Sequence, residues 1–289
     1  MARPHIQRLA NDSSAPFWWQ HLHTLRAAGL ASRAQILCAL EHTQSASLED
    51  VRILPLVLLA GRHATPPNTF VELGALDGVH LSNTYMLERC FGWRGVLIEA
   101  NPNSFQRMQA GARPSLGRST RVHSAVCEGD FSGASVNFTV SSRDRGGADL
   151  PEVTGEVGQI SERFQALYYR GGLDRVRTVA VPCRSLASLL GSAGLSQGAA
   201  FLSLDVEGAE AKVLATIDPS LFQVVMVELD GHAPRKDLAV DAALLRAGLR
   251  QPPVSQQFHV PNSGVYASAA VLTEAAEAQE LGHGVVSRH

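Results

Sequence analysis

The sequence predicts an α/β protein built on an open, mostly parallel sheet with helices on both faces. Short β-branched and aromatic runs alternate with helical patterns through the middle of the chain. The first of these runs, Phe70-Val71-Glu72-Leu73, stops in a glycine turn, Gly74-Ala75-Leu76-Asp77-Gly78, before a helical pattern begins. Such a turn is the usual ligand crevice of an open α/β sheet. Later runs end in acids: Ile98-Glu99, Leu204-Asp205 and Val227-Glu228.

Composition sets the frame. The 289 residues are 45% hydrophobic, enough for one large core, and the formal net charge is −2. No Lys/Arg block is present, so nucleic acid and anionic membrane surfaces are not expected partners. Met1-Ala2-Arg3-Pro4-His5 has no apolar h-region behind it, and the apolar run Ile53 to Ala60 is too short to span a bilayer. A cytoplasmic protein is the expectation. Cys38, Cys90, Cys127 and Cys183 are scattered without metal-type spacing, so they are expected as reduced, mostly buried thiols.

From Phe17 to about Gly61 the pattern is helical, with Ser47 and Asp50 as a capping signal before Val51 to Leu59. Residues 1–66 are read as a helical extension, 67–272 as the main domain and 273–289 as a tail, helical or disordered. Strands are expected at Thr69 to Leu73, Gly95 to Glu99, Arg121 to Val126, Ala200 to Asp205 and Val224 to Leu229. Ser135 to Val140 and Val176 to Val181 add β-segments. Helices are expected at Ser82 to Phe91, after Asn101-Pro102, near Ser161 to Tyr169, at Ser185 to Leu190, from Gly208, and at Leu238 to Ala247. Gln257 to Val260 and Val265 to Ala270, joined by Pro261-Asn262-Ser263-Gly264, are expected to close the sheet as a hairpin.

The glycine turn matches neither GxGxxG nor GxxxxGK[ST]. A carboxylate inside it would repel a pyrophosphate but suits a cationic ligand, as S-adenosylmethionine is. Glu99 stands about two dozen positions beyond the turn, where a carboxylate can accept from both hydroxyls of a ribose. Ser124-Ala125 would lie near an adenine ring. Asp205 and Glu207 are expected on one face of an ending strand, where paired acids suit general-base work or a divalent cation. Glu210 fits the helix dipole. Glu228, Asp230 and His232 extend the same rim. A metal between Asp205 and Glu228 is conceivable, but acids also orient a substrate without one, and no metal is assigned. Tyr85, Tyr168, Tyr169 and Trp18-Trp19 are read as packing residues.

The series FVELGALDGVHLSNTYMLE, GWRGVLIEANP, VPCRSL, FLSLDVEGAE and VVMVELDG closely resembles the FkbM family of S-adenosylmethionine-dependent methyltransferases, over roughly Phe70 to Gly248. The resemblance implies a seven-stranded class I (Rossmann-like) methyltransferase sheet and O-methylation of a hydroxyl on a small molecule or sugar. It places donor binding on Glu72, Gly74, Asp77, Gly78, Ser82, Asn83 and Glu99, to which position adds Asn101, Ser124 and Ala125. Its motif after the fourth strand falls on Asp205, Glu207, Gly208 and Glu210. Leu76 and Ala100 depart from the family's usual Asn and Pro. Some related animal proteins keep the domain in trafficking or membrane roles, so the resemblance does not guarantee catalysis, and a binding module acting through a protein partner is the rival expectation.

Overall fold

The computed structural model describes residues 24–111, 119–129, 133–141, 154–168, 176–229, 231, 233–253, 260 and 262–286. Its centre is β1 (Thr69–Leu73), buried at every position. Parallel neighbours flank it: β2 (Arg94–Glu99) and β3 (Thr120–His123) on one side, β8 (Ala199–Leu204) and β9 (Phe222–Glu228) on the other. Antiparallel β10 (Ser263–Ala267) completes the order β10-β9-β8-β1-β2-β3.

Strand alternation sends side chains to two cores. Phe70, Phe201 and Val224 meet α3 (Leu54–His63) and α10 (Ala269–Val286) through Leu56, Val57, Val271 and Ala275. Val71, Leu202 and Val225 meet α7 (Leu186–Ser192) and α9 (Pro234–Arg246) through Leu189, Leu190, Val240 and Leu244. Each fully buried side chain of this kind contributes about 1.5–3 kcal/mol. The helical region before β1 also holds α1 (Arg33–His42) and α2 (Glu49–Arg52). Asp50, expected in a capping pair with Ser47, instead accepts from Thr43 Oγ1 at 2.7 Å and Ser45 Oγ at 2.6 Å.

The sheet differs from expectation. It has six strands among the described residues rather than seven. Of the expected closing hairpin, residues 257–259 lie outside the described residues, and β10 pairs with β9. The run Arg121 to Val126 is not one strand. The N–H of Ser124 donates to Glu99 O at 3.2 Å, and the chain then changes sheets as β4 (Ala125–Val126). A second sheet follows, in the order β4-β7-β5-β6, with β5 (Ser135–Ser141), β6 (Gly155–Glu156) and β7 (Val176–Arg184). Between β1 and β3 lie α4 (Tyr85–Phe91) and α5 (Pro102–Gln109). Helix α6 (Glu162–Tyr168) follows β6, and α8 (Glu210–Leu214) follows β8. Of the expected tail, Thr273 to Val286 belongs to α10, whose Glu274 pairs with His63 at 3.0 Å, and residues 287–289 lie outside the described residues.

The cysteines are not reduced thiols. Cys38 bonds Cys90, joining α1 to α4, and Cys127 bonds Cys183, joining the end of β4 to β7. The partners are 52 and 56 residues apart, so only the packing of distant elements brings them together. Among the described residues no helix is long and apolar enough to cross a membrane.

Candidate active site

The strand ends that carry the predicted acids come together because they are in register. Leu73 pairs with Ile98 on one side and Leu204 on the other, so Gly74, Glu99 and Asp205 emerge side by side. The approach is close: a Cβ on Gly74 would lie 1.9 Å from Asp205 O, and its φ is +78°. Only glycine fits there without moving the backbone. A cavity of about 350 Å³ opens over this edge. Glu72, Gly74, Asn83, Glu99, Ser124, Ala125, Asp205 and Glu207 line it, as does Glu228.

Asp77, Gly78, Ser82 and Asn101 stand behind the lining and shape it. Asp77 Oδ1 accepts from the N–H of Val79 at 2.9 Å and of His80 at 2.8 Å, fixing the glycine turn. Asn101 Oδ1 accepts from Asn103 N–H at 3.0 Å and caps α5. Ser82 Oγ donates to Glu72 at 2.9 Å and accepts from Tyr85 N–H at 3.0 Å. Ser124 Oγ turns away to the carbonyl of Ala125 at 2.7 Å.

Glu72 is buried and, at the edge of the cavity, holds this loop. It accepts from Ser82 Oγ, from Asn83 N–H at 2.8 Å and from Thr84 Oγ1 at 2.6 Å. Asn83 Nδ2 donates to Ser203 Oγ at 3.1 Å, while its Oδ1 is buried with no hydrogen-bond partner among the described residues. Glu99 ties the two nearest turns together. Its oxygens accept from Leu76 N–H at 2.7 Å and Asn101 N–H at 2.6 Å. Burial raises its pKa to about 7, and those N–H groups limit the rise.

Past β8 the chemistry changes. Carboxylate oxygens of Asp205, Glu207 and Glu228 lie within 4.8 Å of one another, an arrangement that could hold a divalent cation. Burial and the charges of Asp205 and Glu207 push the Glu228 pKa far up, and its carboxyl shares a hydrogen bond with Asp205. Like charges this close favour one proton held between them. Glu207 does not reach the cavity by strand alternation. The strand ends at Leu204, and Glu207 takes a left-handed φ of +56°. Glu210 secures that turn by accepting from Val206 N–H at 3.2 Å and Gly208 N–H at 3.0 Å. Burial raises Glu210 to about 7. Asp230, His232 and Tyr169 lie outside the described residues. Tyr85 is buried against His42.

The cavity also has walls that sequence reasoning did not name as residues, although Thr154 and Glu156 fall in the Ser141 to Arg175 segment expected on the acceptor side. Ala46 comes from the loop before α2, Phe138 from β5, and Thr154 and Glu156 from the β6 arm. Glu156 is held by Lys212 Nζ at 2.6 and 2.8 Å. The signal available was scarcity: Lys212 and Lys236 are the chain's only lysines among 25 basic residues.

Residues 72–250 match the family model described as the methyltransferase FkbM domain. The chain belongs to the FkbM methyltransferase domain family. Solved structures similar to this FkbM chain include the FkbM methyltransferase of Methylobacillus flagellatus KT, at 14% identity and a TM-score of 0.38, with 81% of this chain and 58% of that one covered. The match thus spans little more than half of that protein's length. Precorrin-6y C5,15-methyltransferase from Geobacter metallireducens GS-15 is similar at 11% identity and a TM-score of 0.35, covering 78% of this chain and 92% of that one. A Burkholderia thailandensis protein bound to S-adenosyl-homocysteine is similar at 11% identity and a TM-score of 0.24, covering 96% and 79%. No protein of curated function matches the chain.

Proposed function

We propose that this FkbM domain binds S-adenosylmethionine at the β1–β2 end of the cavity and directs methyl transfer to a hydroxyl of a small molecule or sugar at the β8–β9 end. The observation that carries this reading is the division of one cavity between Glu99, beside the glycine turn, and the acids past β8 and at the end of β9. The residues fit the donor. The buried Asn83 Oδ1, which has no partner among the described residues, can accept from an ammonium or hydroxyl group. Glu99 takes N–H groups from Leu76 and Asn101 and retains acceptor capacity for a ribose hydroxyl. When bound, the donor supplies a methyl group already activated on a sulfonium, so the reading needs no metal.

The protein's task is then alignment and removal of one proton. Asp205 or Glu207 orients the acceptor hydroxyl and takes its proton. Protonated Glu228 donates to Asp205 and keeps the crowded acids compatible. The Ala46, Phe138 and Thr154 walls exclude water. As for location, two disulfides favour an oxidising compartment over the cytoplasm.

The rival is a methyltransferase-fold module that works through a protein partner. Glu72 and Glu210, both in family motifs, are engaged in chain hydrogen bonds, so their presence serves folding as well as catalysis. Calorimetric titration with S-adenosylmethionine separates the two. Saturable binding is expected, and no binding at millimolar donor would favour the rival.

A further inference from the structure

Glu207 holds a left-handed backbone conformation, φ +56°, that a non-glycine residue adopts only at a cost. Something outside the turn must stabilise it. Below, Glu210 takes the N–H groups of Val206 and Gly208. Above, Lys236 at the start of α9 donates from Nζ to Gly208 O at 2.8 Å, to Gln159 Oε1 at 3.1 Å and to Gln159 O. An ammonium has three hydrogens, and all find acceptors here. Those acceptors sit on separate pieces of chain, the turn carrying Glu207 and the arm after β6. Lys212 makes the parallel connection from α8 to Glu156 on the same arm.

Packing reinforces the connection. A Cβ on Gly155 would lie 3.2 Å from Glu207 Cβ, and one on Gly208 would lie 2.6 Å from Gln159 O. The arm therefore rests directly on the turn. Both lysines of the chain serve one contact, while every other basic side chain is arginine or histidine. A flexible stem with a compact ammonium turns three hydrogens towards acceptors gathered around one point, whereas a guanidinium spreads its donors over a rigid planar fork.

We propose that Lys236 and Lys212 are positioning residues that hold the β6 arm against the turn after β8, with Lys236 fixing the backbone that aims Glu207. Identification of this end as the acceptor side rests on the function proposed above, whereas the clasp itself does not. Its effect is to set Glu156 and Glu207 as walls of one cavity rather than of an open edge.

Hydrogen exchange on the whole chain tests it. The reporters are four N–H groups: Val157, which donates to Asn137 O of β5, Gln159, which donates to Glu156 O in the arm, and Val206 and Gly208, which donate to Glu210 in the turn. Lys236→Met should speed all four together by at least ~10-fold while Val71 and Leu202 in the central strands stay within about twofold of wild type. Lys212→Met should speed the arm reporters more than the turn reporters. Lys236→Cys treated with 2-bromoethylamine regains an ammonium at nearly the same reach. The four native cysteines are in disulfides, so the new thiol is the one that reacts. Aminoethylation should restore slow exchange. Unchanged exchange in Lys236→Met, acceleration throughout the chain, or no rescue by aminoethylation would each overturn the clasp. If Lys236→Met does not fold, competitive acetylation of the native protein decides instead. Both lysines should react at least ~10-fold more slowly than a free lysine side chain, and equal reactivity overturns the proposal. Failure of wild-type protein to bind S-adenosylmethionine would sink the methyltransferase reading and leave these outcomes standing.

Discussion

The two ends of the cavity use carboxylates in opposite ways. At the β1–β2 end, Glu72 and Glu99 lie buried and are ringed by donors from the chain: hydroxyls and N–H groups between residues 76 and 101. At the β8–β9 end, Asp205, Glu207 and Glu228 face one another. A ringed carboxylate fixes a loop and contributes stability. A crowded one is poorly placed for stability and well placed to handle a proton. The first end is built as a mould and the second as a reactive edge.

The sharpest test of that contrast is the rate of transfer. Under the proposed function, Asp205→Asn and Glu207→Gln should melt normally, bind S-adenosylmethionine as wild type does, and lose about 10²–10⁴-fold in single-turnover methylation. The acceptor for this assay comes from screening extracts with labelled donor. Wild-type turnover in both variants would remove the reactive role from this edge.

Glu72→Ala should act on the other side of the comparison. It leaves donors on Ser82, Asn83 and Thr84 unsatisfied, at about 1–3 kcal/mol each. A loss of about 3 kcal/mol or more in urea unfolding is expected, and a loss under 1 kcal/mol would show that the loop does not depend on Glu72.

Glu99 should combine both characters. Glu99→Ala is expected to weaken S-adenosylmethionine binding by roughly 1.5–3 kcal/mol, the scale of a charge-assisted hydrogen bond, and to lower stability through the freed N–H groups of Leu76 and Asn101. A folded variant with unchanged donor affinity would leave Glu99 with the mould alone.

A further test is the pH dependence. Burial raises Glu99 and Glu210 from 4.5 to about 7. The folded state therefore binds more protons than the unfolded state between those values, and stability falls as pH rises through that window. The melting temperature should be higher near pH 5 than near pH 8. Glu210→Gln should flatten the slope, and a rising slope in wild type would show that these groups are not raised.

Much of this arrangement was legible in the chain itself. Strand-length apolar runs fixed β1, β2, β8 and β9, and the acids closing those runs marked the edge where a cavity would open. The periodicity of a strand is local, so a few residues suffice to state it. The glycine turn was equally local, because a positive φ at Gly74 needs no distant partner to make glycine the suitable residue. Pairing across long separations was decided only by the tertiary structure. Cys127 found Cys183, Lys236 found Gln159 and Glu156 found Lys212, over separations of 56, 77 and 56 residues. No periodicity encodes such partners: the disulfide depends on how β4 and β7 pair within the second sheet, and the lysine contacts on how that sheet's arm docks onto the first. Glu207 shows the division within one residue. Its place after an ending strand came from sequence, while its left-handed backbone came from the contacts that close around it.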